Sequence, residues 1–328
     1  MGVNCYEVLI EQYLEAEIMA KTAFLFSGQG AQAIGMGKEL AEHYAVADKT
    51  FDEATESLGM DMKKLIWDGD SETLMITENT QPAILTMSVA VLRVLEQEGI
   101  RADVVAGLSL GEYSAHVAAG SISFADAVKL VKKRGKYMQE EVPVGVGAMA
   151  AILGLDEEKV REACKKAESE GIVSPANFNC PGQIAVAGEK AAVEKACEYA
   201  KELGAKRAVP LAVSAPFHCE MLKGAGEKLA KELENVTFSD LQIPLITNVT
   251  ADYVQSRDDI KPLLIRQVSS SVLWQKGIER MIADGVDTFI EVGPGKALSG
   301  FMKKINKEMT ILNVEDMASL EATLTALK

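Results

Sequence analysis

The stretch 107–111, Gly-Leu-Ser-Leu-Gly, constrains the fold of this chain more than any other, because it matches the pattern Gly-x-Ser-x-Gly. It follows the mainly apolar run 103–106 and leads into a helix-forming segment that begins at Glu112. A serine in so tight a strand-to-helix turn has a strained backbone, and its neighbours must be small. The pattern therefore predicts a nucleophile elbow that carries Ser109, although the same pattern also occurs in turns without chemistry.

The helix after the elbow would support acyl chemistry at Ser109. Its free N–H groups and the positive end of its dipole point toward the serine, where an oxyanion would form. A glycine-rich loop, 27–32, follows the first predicted strand, 22–26, and glycine lets backbone N–H groups approach a reacting centre. A nucleotide-phosphate site is the alternative use of this loop, but Ala33 interrupts the Gly-x-Gly-x-x-Gly pattern.

Composition restricts the partners of the chain. The 328 residues are 48% hydrophobic and 25% charged, as in soluble globular proteins, and the formal net charge of −14 argues against nucleic acid. No apolar run is long enough for a membrane span. The five cysteines are odd in number and have no Cys-x-x-Cys spacing. We therefore expect a cytoplasmic protein with reduced thiols, no membrane partner and no bound metal, and we expect it to be a monomer.

The order of the predicted elements indicates an α/β fold with two parts. Residues 143–214 show the order β-α-β-β-α-β, which is typical of a ferredoxin-like subdomain. Strands and helices alternate over 19–142 and 215–328, which predicts an α/β-hydrolase-like large domain with a parallel sheet, into which the small subdomain is inserted. Met19 immediately precedes the first strand, so we hypothesise that residues 1–18 are an N-terminal extension, native or not.

His218 is the best candidate for a general base. Of the three histidines, His43 lies in a polar helical segment, and His116 lies too far along the helix after the elbow to reach Ser109 at about 1.5 Å per residue. His218 follows a proline-containing loop, and a serine nucleophile needs a base whose pKa is near neutral. The adjacent Cys219 is a weaker candidate nucleophile because it has no elbow around it.

Arg134 lies in a predicted helix that Ser123 opens as N-cap, with Asp126 three residues later. It falls on the flank of the apolar stripe of that helix, away from the lysines on the opposite face. Leaving a guanidinium unpaired on the core side would be strongly destabilising. Arg134 therefore extends its head group to solvent, pairs with a structural carboxylate, or binds a ligand that carries a carboxylate.

These residues resemble the malonyl-CoA:acyl carrier protein transacylases of bacterial type II fatty-acid synthesis, and they are similar to the acyltransferase domains of polyketide synthases. The resemblance covers residues 19–328 and depends on motifs that occur in the order of that family. The matching motifs are 26–32, 80–82, 107–112, 133–135, the amide-rich turn 177–183, 216–218, 248–250 and 291–295. Because they occur jointly and in order, the resemblance is specific.

The resemblance implies a role for each residue at the reaction centre. Ser109 would be acylated, His218 would act as its base, and the backbone carbonyl of Gln267 would orient the histidine. The backbone N–H groups of Gln29 and Leu110 would form the oxyanion hole.

Substrate-binding residues are implied in the same way, and Arg134 would hold the malonyl carboxylate. The other residues implied to contact substrate are Gln81, Phe217, Asn177 and Asn179. Leu110 and Phe217 match the pattern of malonyl-selective members. Leu108 departs from the family, which often has histidine there, and this changes the wall of the site while leaving the nucleophile intact.

The implied function is transfer of the malonyl group from malonyl-CoA to the phosphopantetheine thiol of acyl carrier protein, through a malonyl-serine intermediate, in fatty-acid biosynthesis. Malonyl-CoA and phosphopantetheine are both substrates, so no cofactor is expected. The alternatives are a trans-acting acyltransferase of polyketide synthesis, a serine thioesterase or hydrolase, and a carrier-binding module without catalysis. A hydrolase would not need Arg134, and a binding module would tolerate loss of Ser109.

Overall fold

The computed structural model describes residues 20–143, 145–213 and 215–328, so the hypothesis about residues 1–18 concerns a segment outside the described residues. The strands are β1 (Lys21–Phe26), β2 (Val104–Gly107), β3 (Gly147–Leu153), β4 (Val173–Cys180), β5 (Gln183–Glu189), β6 (Arg207–Pro210), β7 (Leu245–Ile246), β8 (Val286–Val292) and β9 (Thr310–Val314). The α-helices are α1 (Lys38–His43), α2 (Ala45–Leu58), α3 (Ser71–Met75), α4 (Thr77–Gln97), α5 (Gly111–Ala118), α6 (Phe124–Glu141), α7 (Glu157–Ala167), α8 (Lys190–Glu202), α9 (Lys223–Glu234), α10 (Arg257–Gln267), α11 (Trp274–Ala283), α12 (Ala297–Ile305) and α13 (Met317–Ala326). A π-helical turn at Lys64–Asp68 and 3₁₀ turns at Glu168–Glu170 and Glu220–Leu222 lie between them.

A parallel sheet forms the centre of the large part of the molecule. Its strand order is β7-β2-β1-β8-β9, and each pair of neighbours runs parallel. The middle strand, β1, is buried over 23–26 because helices cover both faces of the sheet, as is usual when parallel strands are joined by helical crossovers. Phe26 and Gly107 are register partners at the carboxyl ends of β1 and β2. The glycine-rich loop and the elbow therefore leave the sheet side by side.

A second sheet is antiparallel and has the order β4-β5-β3-β6. Helices α7 and α8 pack against it around an apolar core of its own, which includes Val160, Phe178 and Val193. The element order and the strand order together are ferredoxin-like. The predicted fold class, α/β with a parallel sheet and a separate small sheet, is thus confirmed. The boundaries at 143 and 214 stay a prediction, and Val144 and Ser214 lie outside the described residues.

Two regions differ from what local sequence patterns predict. The composition of 177–183 predicts a turn, but β4 continues to Cys180, so Asn177 and Asn179 lie in a strand. This strand continues because it pairs with β5 across two irregular registers, and Asn177 also bridges to Val272. At the other end of the chain the sequence predicts a single last helix after 288–292, whereas the structure adds β9 and α13.

Within the described residues, no helix is both long enough and apolar enough to cross a membrane. In the same parts of the chain, no cluster of three or more His, Cys, Asp or Glu side chains could hold a metal ion. The cysteines that the structure describes, at positions 164, 180, 197 and 219, are free thiols.

Candidate active site

The elbow is the turn between β2 and α5, and Ser109 has a φ of 55° in it. This left-handed conformation is uncommon and strained for a residue with a side chain. A Cβ at Gly107 would lie 1.9 Å from the carbonyl carbon of Gly111, and a Cβ at Gly111 would lie 2.1 Å from the carbonyl oxygen of Phe26. Close packing of backbone on backbone therefore requires glycine at both ends of the Gly-x-Ser-x-Gly pattern.

His218 forms a nucleophile–base pair with Ser109. The Oγ of Ser109 lies 2.6 Å from Nε2 of His218, and Nδ1 of the same ring lies 2.9 Å from the backbone carbonyl oxygen of Gln267. A carbonyl oxygen can only accept, so Nδ1 carries the proton and Nε2 is left to accept the proton of the serine. His218 also has a positive φ, 60°, so both members of the pair stand on strained backbone.

Burial lowers the pKa of His218 to about 4, and the positive charge of Arg134 acts in the same direction. Hydrogen bonds from the ring to the carbonyl groups of Gln267 and Ser270 act in the opposite direction. The ring is therefore unprotonated at neutral pH, which is the form that a general base needs.

Burial also raises the pKa of the Cys219 thiol to about 11, so this residue is a poor nucleophile.

Arg134 lies beside the nucleophile, and 1% of its surface is exposed. Its guanidinium donates to Oε1 of Gln81 at 2.9 Å, to Oε1 of Gln267 at 3.0 Å and to Oγ of Ser109 at 3.2 Å. Its central carbon lies 5.4 Å from the ring centre of Tyr113. Each of these partners is neutral, so the hydrogen bonds satisfy donors without balancing the charge.

No carboxylate pairs directly with Arg134 among the described residues, and Glu112 acts on its charge only from behind Gln267. The guanidinium forms no ion pair there, and its Nε has no hydrogen-bond partner. Burial lowers the pKa of Arg134, but an arginine starts from so high a value that it stays charged at neutral pH. A buried charged donor without an anion matches a ligand that carries a carboxylate. The two alternatives for Arg134, extension to solvent and pairing with a structural carboxylate, do not occur in the described parts of the chain.

The glycine-rich loop lies against the elbow. A Cβ at Gly28 would come within 2.6 Å of the carbonyl oxygen of Leu108, so glycine lets the two backbones approach. Among the hydrogen bonds of the described residues, none uses the backbone N–H of Gln29 or Leu110 as donor. Neither group is used within the described structure, and the oxyanion hole that the resemblance implies for them stays a prediction.

A cleft of about 1110 Å³ extends from the elbow to the antiparallel sheet. The large part of the molecule lines it with Ser109, Arg134 and His218. The other predicted site residues that line the cleft are Gln29, Phe217, Asn177 and Asn179. Gln81 and Gln267 are fully buried behind this wall and would act on a ligand through Arg134.

Two residues of the site, Asn248 and Glu112, were not predicted. Oδ1 of Asn248 accepts from the N–H of Ser109 at 2.6 Å, and its Nδ2 donates to the carbonyl of Gly107 at 2.7 Å. This amide therefore holds the backbone of the elbow at the N–H of Ser109 and at the carbonyl group of Gly107, two residues before it. Glu112 in turn accepts from the backbone N–H of Asn248 at 2.8 Å. Both residues could have been found from the sequence, because they lie in the motifs 107–112 and 248–250, which resemble the family.

A strained serine that faces an unprotonated histidine, next to a buried charge without an anion, is the arrangement of a serine enzyme that transfers acyl groups. The chain belongs to the acyl transferase domain family, whose model matches residues 23–322. It is similar to the malonyl CoA-acyl carrier protein transacylase of Bacillus subtilis (strain 168), with 51% identity over 311 residues, which are 94% of this chain and 98% of that protein.

Solved structures of relatives have the same fold. A malonyl CoA-acyl carrier protein transacylase from Clostridium perfringens ATCC 13124 is 51% identical, with a TM-score of 0.92 over 94% of this chain and 97% of that chain. A structure of a type II polyketide-synthase acyl-carrier protein in complex with its malonyl-transacylase gives a TM-score of 0.91 at 45% identity, over 94% of this chain and 100% of that chain. The family resemblance and the acyltransferase class predicted from the sequence are thus confirmed.

Proposed function

We propose that this chain transfers the malonyl group of malonyl-CoA to the phosphopantetheine thiol of an acyl carrier protein, as a step of fatty-acid biosynthesis. The observation that carries the proposal is the guanidinium of Arg134, which is buried, forms no ion pair among the described residues, and lies 3.2 Å from the Oγ of Ser109. An acyl group on Ser109 that ended in a carboxylate would supply the missing anion. Relatives that are named for malonyl transfer to acyl carrier protein support the same substrates.

The first half of the reaction acylates the enzyme. Nε2 of His218 takes the proton of the Ser109 hydroxyl, and Oγ attacks the carbonyl carbon of the malonyl thioester. The oxyanion that forms would be stabilised by the backbone N–H groups of Gln29 and Leu110. As the carbon–sulfur bond breaks, His218 gives its proton to the departing CoA thiolate, and malonyl-Ser109 remains.

The second half repeats these steps with a new thiol. The phosphopantetheine thiol of the carrier enters the cleft, and His218 removes its proton. The sulfur attacks the ester carbonyl of malonyl-Ser109, and the same two N–H groups would meet the oxyanion. His218 then returns the proton to Oγ, and malonyl leaves on the carrier. One thioester replaces another, so the enzyme has to lower barriers and exclude water, and it does not have to drive the equilibrium.

Serine and histidine supply all of this chemistry, so we propose that the reaction needs no cofactor and no metal. We also propose that the protein acts as a monomer in the cytoplasm. The reacting serine and histidine belong to one chain, and the partners named for the relatives are a CoA thioester and an acyl carrier protein.

Intact-mass measurement with malonyl-CoA and acetyl-CoA side by side tests the proposal. We expect a malonyl adduct that survives in water and is discharged when a holo acyl carrier protein is added. An adduct that hydrolyses without a thiol acceptor would favour the hydrolase alternative, and no adduct at all would favour a carrier-binding module. Offering a fatty-acid carrier and a polyketide carrier in parallel separates the two pathways, and we expect the faster discharge with the fatty-acid carrier.

A further inference from the structure

Glu112 lies in the first turn of α5, and none of its surface is exposed to solvent. Its Oε2 accepts two hydrogen bonds, from the backbone N–H of Asn248 at 2.8 Å and from Nε2 of Gln267 at 3.0 Å. Its Oε1 has no hydrogen-bond partner among the described residues. No step of the acyl transfer uses this carboxyl group, although burying it is costly.

The side-chain amide of Gln267 has a defined orientation. Its Nε2 donates to Glu112 and, at 2.9 Å, to the carbonyl oxygen of Ser109, and its Oε1 accepts from Arg134 at 3.0 Å. The carbonyl oxygen of Ser109 can only accept, Oε2 of Glu112 accepts from two N–H groups, and a guanidinium can only donate. A reversed amide would set its NH₂ group against the guanidinium of Arg134 and its oxygen against that of Glu112. The acceptor at position 112 therefore favours the orientation in which Gln267 holds the arginine.

We propose that Glu112 is a positioning residue that sets the orientation of the Gln267 amide and thereby the place of the Arg134 guanidinium beside Ser109. The inference rests on the proposed function, because it concerns how the carboxylate of the acyl group is recognised. The second hydrogen bond of the same oxygen fixes Asn248, whose side chain holds the backbone of the elbow. One carboxylate oxygen thus connects the nucleophile turn to the anion-binding group.

Two substitutions distinguish the effect of the hydrogen-bond acceptor of Glu112 from the effect of its side-chain volume. Glu112→Met keeps a long unbranched side chain and removes the acceptor, whereas Glu112→Gln keeps an oxygen that can accept. We expect Glu112→Met to lower both the rate of malonyl-Ser109 formation and the malonyl-to-acetyl preference by about tenfold or more, because Arg134 loses its oriented partner. Glu112→Gln should recover most of both.

Ser114→Ala is a matched control for these variants. Ser114 lies on the same helix, is fully buried, and its Oγ has no hydrogen-bond partner among the described residues. Removing that hydroxyl should therefore leave the rate and the preference at their wild-type values.

The measurement is single-turnover acylation with malonyl-CoA and with acetyl-CoA, followed by intact mass, with thermal unfolding recorded for each variant. A merely structural role would reduce the amount of folded enzyme and leave the malonyl-to-acetyl preference unchanged. If Glu112→Met does not fold, Glu112→Asp takes its place, because it keeps the carboxyl group on a side chain one methylene too short to reach both donors.

If the folded Met or Asp variant keeps the wild-type malonyl-to-acetyl preference, the role proposed for Glu112 is wrong. It is also wrong if Glu112→Gln recovers neither the acylation rate nor the preference. A wild-type enzyme that forms no malonyl adduct overturns the proposed function itself. The two failures are therefore distinguished by the wild-type measurement.

Discussion

Two serine–histidine pairs lie at opposite ends of α5, one half-buried beside the cleft and one fully buried, and their surroundings differ. At the amino end, the Oγ of Ser109 is 2.6 Å from Nε2 of His218, and at the carboxyl end the Oγ of Ser121 is 2.8 Å from Nδ1 of His116. Burial lowers the pKa of both rings, to about 4 for His218 and to about 3 for His116. A hydrogen-bonded serine and an unprotonated histidine are therefore present twice.

The second pair has none of the features that make the first one reactive. The Ser121 hydroxyl donates to the carbonyl oxygen of His116 at 3.0 Å, so its proton is held by an acceptor that cannot act as a base. The His116 ring packs edge-on against Phe238, and Ser121 has no exposed surface. The negative end of the helix dipole lies there, which disfavours an oxyanion. We therefore expect the reactivity of Ser109 to come from the cleft, the unused N–H donors and the nearby cation.

Removing each hydroxyl in turn is the strongest test of this contrast. Ser109→Ala should reduce malonyl-enzyme formation by about a thousandfold or more, because the acyl group has no atom to bind. Ser121→Ala, measured per folded molecule, should keep the wild-type rate. Intact mass after mixing with malonyl-CoA reports both variants. An adduct of malonyl mass that persists in Ser109→Ala would contradict the assignment of the nucleophile.

Removing the cation should change which acyl group is accepted. In Arg134→Ala we expect malonyl transfer to fall by about a hundredfold, because the carboxylate loses its charge-assisted hydrogen bonds, while acetyl transfer is retained or improved. The measurement is kcat/KM for malonyl-CoA and for acetyl-CoA with the same carrier. Equal loss for both substrates would show that Arg134 supports the fold or the nucleophile and does not bind the carboxylate.

Changes to the Ser121–His116 pair should affect the stability of the protein, whereas changes to the Ser109–His218 pair should affect the reaction rate. Ser121→Ala leaves Nδ1 of the buried His116 without its partner, which should lower the free energy of unfolding by about 1–3 kcal/mol. Urea unfolding at neutral pH measures this change. Ser114→Ala is the control, because that buried hydroxyl has no hydrogen-bond partner among the described residues, and its loss should cost less.

The smallest expected effect is on the pH dependence of stability. The unfolded chain protonates His116 near pH 6.5, roughly the ordinary value, whereas the folded chain does so at a pKa of about 3. The unfolded state therefore binds more protons between these values, and the contribution of His116 lowers stability as the pH falls through this window. The buried ring of His218, whose pKa is also lowered, acts in the same direction.

His116→Gln should make the loss of stability on acidification smaller than in the wild type, and it should leave malonylation at neutral pH unchanged. Burial raises the pKa of Glu112 to about 7, which acts in the opposite direction, but it does so in both proteins and cancels in the comparison. Unfolding free energies at about pH 7 and about pH 5 measure the difference. An unchanged slope in His116→Gln would contradict the lowered pKa of the ring.

Much of the local structure was predictable because it depends on residues that are neighbours in sequence. Ser123 was predicted to open a helix, and its Oγ does accept from the N–H of Asp126 at the start of α6. The alternation of strands and helices predicted the α/β class, and the β-α-β-β-α-β order predicted the small antiparallel sheet. By contrast, the extension of β4 through Asn177 depends on pairing with β5 and Val272. The residue composition of this segment, which predicts a turn, carries no information about that pairing.

The elbow at Ser109 could be recognised from the sequence alone, because the tight turn brings Gly107 against Gly111, four residues later, and leaves no room for a side chain. The sequence also indicates His218 as the base, but the distances and the other groups around Ser109 depend on the tertiary structure. The contacts of Ser109 to His218, Asn248 and Gln267 join residues more than a hundred positions apart. Hydrogen-bond partners at such separations are chosen by the packing of whole sheets and helices, so no local pattern specifies them.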